Sequence, residues 1–232
     1  MWDILSLTAA SAAGAGVGAY IPPIVGKVAG FKCRQYGKPF LRNSFSGKSR
    51  VLVILLTAAL AALSVWCVPL SQAPFYIGFC VIAIVGTLID TQIRMIPNEL
   101  VLLLFALGLG YRLMVAGFAG LLHSLLASLI TAGIFLLAAG TTFVLKKSIG
   151  VGAGDLKLAM AISFIVGLSE IYLFLFGMVA SLLVYCLAGL CSRKLTVSST
   201  FPMCGQIMAG FVFTLFAPHL IPGLAGYLLL PV

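Results

Sequence analysis

The chain has 232 residues, 62% of them hydrophobic and only 8% charged, with a mean hydropathy of +1.21. That balance excludes an ordinary water-soluble domain, which needs far more charge at this length, and makes lipid the natural solvent for most of the chain. The formal charge of +9 would suggest nucleic acid in a soluble protein, but no aromatic-and-basic binding module accompanies it, so the basic residues read as topology markers on cytoplasmic loops.

In hydrocarbon the backbone must satisfy its own hydrogen bonds, which leaves helices or a closed barrel. The apolar runs are long and lack the period-2 alternation of barrel strands, so the expected fold is all-α, a polytopic membrane helical bundle. The first run, Met1 to Pro23, opens with Asp3 and carries its basic cluster after the apolar stretch, and so reads as a retained helix rather than a signal peptide. With roughly 20 apolar residues per crossing, about eight spans are predicted: 4–25, 51–69, 74–90, 99–116, 119–145, 156–168, 171–191 and 202–230. The sixth is short, the fifth long, and the eighth contains Pro218 and Pro222, which predict a kink.

Charge fixes the expected orientation. If the first helix runs from outside to inside, the loop 26–50 is cytoplasmic with Lys27, Lys32, Arg34, Lys38, Arg42, Lys48 and Arg50. Alternation then places Arg94, Lys146, Lys147, Lys157, Arg193 and Lys194 inside too, leaving only Arg112 of the fourteen basic residues outside. Both termini are therefore expected outside. The chain reads as a single transmembrane domain, 1–232, with 26–50 its one sizeable extramembrane loop and no internal repeat of the inverted-transporter kind. The six cysteines, Cys33, Cys67, Cys80, Cys186, Cys191 and Cys204, form no CxxC pair, so neither a zinc site nor a disulfide framework is expected.

Five acids remain: Asp3, Asp90, Glu99, Asp155 and Glu170. Asp3 and Glu170 fall at outer helix ends and read as solvated. Glu99 follows Pro97-Asn98 at a helix start, where a carboxylate interacts favourably with the N-terminal dipole. Asp90 and Asp155 differ, because the topology brings both to the cytoplasmic boundary, Asp90 ending the third span and Asp155 opening the sixth. Ionisable groups near lipid face a polar cavity or a partner. Two carboxyls converging there suit aspartic proteolysis, in which one takes a proton from water while the other donates to the scissile carbonyl. An anion is favoured at a helix N-terminus and disfavoured at a C-terminus, which makes Asp155 the base and Asp90 the acid at rest.

Gly152 and Gly154 flank Ala153 and let another backbone approach closely, although an ordinary turn uses glycines in the same way. Lys157 would bind a lipid phosphate or tune the nearby acids. His123 and His219 have no second ligand at metal spacing and read as structural.

At these residues the sequence resembles the type IV prepilin peptidases, within the GxGD group of membrane aspartic peptidases. One match is Asp90 followed by Ile96-Pro97-Asn98 and a hydrophobic helix. The other is Gly152-Ala153-Gly154-Asp155-Leu156-Lys157-Leu158, against a Gly-x-Gly-Asp-x-Lys signature; Phe201-Pro202 adds a weaker likeness. The resemblance spans roughly residues 74–216. It implies cleavage of the short leader from pilin-like precursors on the cytoplasmic side of a prokaryotic membrane, with Asp90 and Asp155 catalytic, Gly152 and Gly154 shaping the site, and Pro97, Asn98 and Lys157 in support. Many members also carry paired CxxC motifs in a longer first loop and methylate the new N-terminus with S-adenosylmethionine. Here the loop 26–50 offers only Cys33, so zinc and that cofactor are not supported, and proteolysis itself requires none. Membrane lipids are the natural partners of the basic loop.

Two rivals remain at this point. A proton- or cation-coupled transporter would also use paired intramembrane acids, though usually near the midplane rather than at one face. A GxGD peptidase for other substrates, such as preflagellins, would share the motifs.

Overall fold

The computed structural model describes residues 4–37, 45–146, 152–192 and 203–221, and among them it contains helices and no strand. The helices are α1 (Ile4–Gln35), α2 (Gly47–Cys67), α3 (Ala73–Ile93), α4 (Asn98–Lys146), α5 (Ala153–Val166), α6 (Ile171–Cys191) and α7 (Cys204–Leu220). Large apolar side chains face outward, Phe118 being 85% exposed and Leu137 72%, which is the surface of a multi-pass membrane protein rather than of one bathed in water.

Among the described residues, length and composition give five helices able to cross a membrane, not the eight crossings expected. The difference has two sources. The stretch Asn98–Lys146 counts once although it is interrupted at Gly117, and α5 and α7, at 14 and 17 residues, are shorter than a full crossing. The part of the predicted last span beyond 221 lies outside the described residues, as do Phe201-Pro202, Lys147, Gly150, Arg193 and Lys194.

Helix α4 is 49 residues long, and a straight rod of that length would extend about 70 Å, more than twice the ~30 Å hydrocarbon layer. It is broken at Gly117, whose φ of 60° and ψ of −162° are not helical. A positive φ of this kind is tolerated by glycine and little else. The guanidinium Nε of Arg112 donates to Ser124 Oγ at 2.8 Å, although twelve residues of straight helix would separate the two by about 18 Å. The chain therefore turns back at Gly117, between the predicted spans 99–116 and 119–145.

Helix α1 runs to Gln35, ten positions past its predicted end, and takes in Lys27, Lys32 and Arg34 from the expected loop 26–50. Apolarity ends near 25, but helical hydrogen bonding does not. Pro22 and Pro23 lie inside the helix without ending it, as happens in membrane helices whose freed carbonyls are satisfied by their surroundings. Lys32 and Arg34 then fall in the last turn, where cations meet the negative end of the helix dipole.

Two compact units are present, 1–97 and 98–232. In the first, α1 packs along α2, and α3 lies against both. The α1–α2 contact depends on two glycines four apart, the small-xxx-small spacing that brings membrane helices together. A β-carbon on Gly14 would meet Ala61 Cβ and the Thr57 carbonyl at 2.7 Å, and one on Gly18 would strike Thr57 Oγ1 and come within 2.9 Å of Ile54 Cα. In the second unit α5 packs mainly on α4, α6 pairs with α7, and α5 also touches both of these. Leu104, Leu158, Ile162, Phe174 and Phe211 are fully buried there.

Gly14→Leu should force α1 away from α2 and lower the thermal midpoint in detergent, by an overpacking cost of about 1–3 kcal/mol. Gly16→Leu is the control, because nothing lies within 4 Å of its β-position, and it should leave the midpoint unchanged.

Candidate active site

Asp90 lies in the last turn of α3 and is buried, at 6% exposure. The helix ends just beyond it because Arg94 adopts the left-handed conformation, φ 49° and ψ 44°, and its backbone N–H donates to the Asp90 carbonyl at 2.8 Å. A non-glycine residue in that region costs about 1–2 kcal/mol, and Arg94 is the one such residue among those described. Met95, Ile96 and Pro97 then run without helix to the start of α4 at Asn98. Ile96 is held out of the helical region by the proline after it, so the Ile-Pro-Asn motif is the non-helical link that follows the acid. Glu99 occupies the first turn of α4, where its charge suits the helix dipole.

Asp155 stands in the first turn of α5, three positions after the N-cap residue Gly152. Gly152 is extended, with φ −71° and ψ 137°, and its carbonyl accepts the Leu156 N–H at 3.1 Å. The Asp155 carboxylate folds back over it. A β-carbon on Gly152 would lie 2.7 Å from Asp155 Oδ2 and 3.5 Å from Cγ. The first glycine of the motif therefore leaves room for the carboxylate itself, not for an approaching backbone alone. That carboxylate is held at the positive end of the helix.

The rest of α5 is fixed by α4. Ser128 Oγ donates to the Met160 carbonyl at 2.7 Å, and Thr131 and Ser163 share a hydroxyl hydrogen bond of 2.6 Å. Each such bond contributes about 0.6 kcal/mol on average between membrane helices. At the far end of α5, the Arg112 guanidinium lies against Gly167, where a β-carbon would be 2.8 Å from Nη2. It also donates to Gly120 O at 3.5 Å. Glu170, in the turn between α5 and α6, is half-buried rather than solvated as the sequence suggests. Burial raises its pKa from 4.5 to about 7, and the Arg112 charge pulls it partway back. Periodicity gave no sign of this group; a lone arginine in an apolar helix was the available signal.

Lys157 is exposed and, two positions from Asp155, projects about 200° around the helix from it. That direction separates it from the acid. His123 is exposed on the second half of α4, and His219 lies in the last turn of α7. Among the described residues no three His, Cys, Asp or Glu side chains are grouped so as to hold a metal ion.

Residues 76–190, which contain both acids, match the model of the type IV leader peptidase family, and this match places the chain in that family. No curated protein and no solved structure matches the chain.

Gly152→Ala should leave α5 folded, since the obstructing atom is the end of a rotatable side chain, while displacing the Asp155 carboxylate. Peptidase activity should fall at least tenfold with an unchanged thermal midpoint. Glu170 supplies a pH test. Between pH 4.5 and about 7 the unfolded chain releases a proton that the folded protein keeps, so stability falls as pH rises through that window. The midpoint difference between wild type and Glu170→Gln, which holds no ionisable proton, should change across the window in that direction.

Proposed function

We propose that the protein is an aspartic endopeptidase that removes the N-terminal leader from type IV pilin-like precursors at the cytoplasmic face of a prokaryotic membrane. One observation carries the reading: both acids fall inside the segment matched to the leader peptidase family, each at a helix end. The orientation that goes with it has both termini outside. It counts the halves of α4 as separate crossings and includes the short α5 and α7 among eight.

In this reading Asp90 and Asp155 act on one water. Asp155, favoured as the anion by its helix N-terminus, takes a proton from the water as the oxygen attacks the scissile carbonyl. Asp90, at a helix C-terminus and buried, holds a proton and gives it to the carbonyl oxygen. Two carboxyls sharing a site cannot both ionise cheaply, which keeps one proton on the pair. The tetrahedral adduct collapses as its C–N bond breaks: the proton held by Asp155 passes to the leaving amine, and one hydroxyl of the adduct returns its proton to Asp90, leaving the product carboxylic acid and restoring the pair. Gly152 and Gly154 keep the approach to Asp155 open, and Pro97 and Asn98 end the non-helical link after Asp90 and start α4. No metal or organic cofactor enters these steps. Methylation by S-adenosylmethionine has no support in the residues present.

The test is cleavage of a leader-bearing pilin precursor by the purified protein in detergent. Asp90→Asn and Asp155→Asn should each reduce turnover by about 10²–10⁴-fold or more with unchanged helical content. Retained cleavage in either variant would remove that residue from the mechanism.

A further inference from the structure

The groove beside Lys157 belongs to no step of the chemistry above. It is a cavity of about 590 Å³ between the two halves of α4 and one face of α5, within the roughly 300–1,000 Å³ that holds a small ligand. From α5 it is lined by Lys157, Met160, Ala161 and Phe164, a single stripe at i, i+3, i+4 and i+7. Leu158, Ala159 and Ile162, on the side of α5 that Asp155 shares, are instead fully buried. The groove and the acid therefore occupy different faces of one helix, which argues against the groove as an extension of the cleavage site.

Its two ends differ in chemistry. Asn98, Glu99 and Lys157 form one rim, and all three are exposed. From Lys157 to Phe164 the groove runs about 10 Å along α5 between apolar walls that include Leu102 and Leu125. It closes on the Phe105 and Phe164 rings, whose centroids are 4.8 Å apart. The hydroxyl of Ser128, the polar group in the wall, already donates to the Met160 carbonyl. An occupant must therefore be apolar along its length and charged at one end, and the rim, with a cation, a carboxylate and an amide, fits a headgroup carrying both signs.

We infer that this groove binds one zwitterionic aminophospholipid, its phosphate on Lys157 and the Asn98 amide, its ammonium towards Glu99, and an acyl chain along the apolar walls. Lipid is the amphiphile at hand, and the groove opens through Leu102 and Leu125, which are 68% and 51% exposed.

The experiment is native mass spectrometry of the full chain in detergent with added phosphatidylethanolamine, phosphatidylglycerol or diacylglycerol. Binding should fall in that order. Lys157→Gln should weaken both phospholipids about fivefold without affecting diacylglycerol, and Glu99→Gln should abolish the preference for the ethanolamine headgroup. Ala161→Trp, which fills the groove, should remove binding of all three. A photoreactive phenylalanine at Phe164 gives a second readout and should crosslink to phospholipid in vesicles. Equal retention of diacylglycerol and phospholipid by wild type, no effect of Lys157→Gln, displacement by inorganic phosphate, or crosslinking from 164 to a polypeptide would each overturn the assignment.

Discussion

The position of α5 is the constraint on which the rest depends. At 14 residues it is about 21 Å long, too short to be held by hydrophobic matching to the bilayer. In lipid, apolar surface alone also provides little drive for helices to associate. The registry comes from polar and steric contacts made by α4: Ser128 with the Met160 carbonyl, Thr131 with Ser163, and Arg112 over Gly167. These contacts are available because α4 turns back at Gly117 and presents both its halves to the shorter helix. Without that turn, the hydroxyls that hold α5 would lie far from it.

The carboxylate at the start of α5 inherits this order. Asp155 rests over Gly152 because no β-carbon is there to exclude it. The carboxylate lies over the N-cap residue of its own helix, and it is the group to which the proposed mechanism gives the base's role. Asp90 is fixed differently. Its helix is stopped by a strained, left-handed Arg94 and followed by a non-helical, proline-containing link. Strain tolerated beside a buried acid is common at working sites.

The sequence made much of this legible, and for physical reasons. Hydropathy reports transfer from water, so it identified the helices and the Gly117 division well. It does not report where hydrogen bonding stops, which is why α1 continues to Gln35 through two prolines and ten residues past its apolar stretch. The motifs on which the proposed site rests are visible because the Asp90 and Gly-Ala-Gly-Asp patterns are local. What holds them was not, since Ser128, Thr131 and Ser163 are ordinary small polar residues until a fold pairs them. Glu170 was misjudged for the same reason: a carboxylate at a helix end looks solvated unless the neighbouring turn is known to bury it. The Gly14–Gly18 pair was present as a spacing, but only the approach of α2 gives it meaning.

A helix pinned at one end and bearing at the other the carboxylate proposed as the base behaves as a lever. With Arg112 against Gly167 at the far terminus of α5 and Asp155 at the near one, a small tilt introduced at the pinned terminus is delivered to the carboxylate with little loss along so stiff an element. Screens for inactive variants would then collect changes at positions remote from any substrate, and such positions would be mistaken for folding defects unless the angle of the rod were considered.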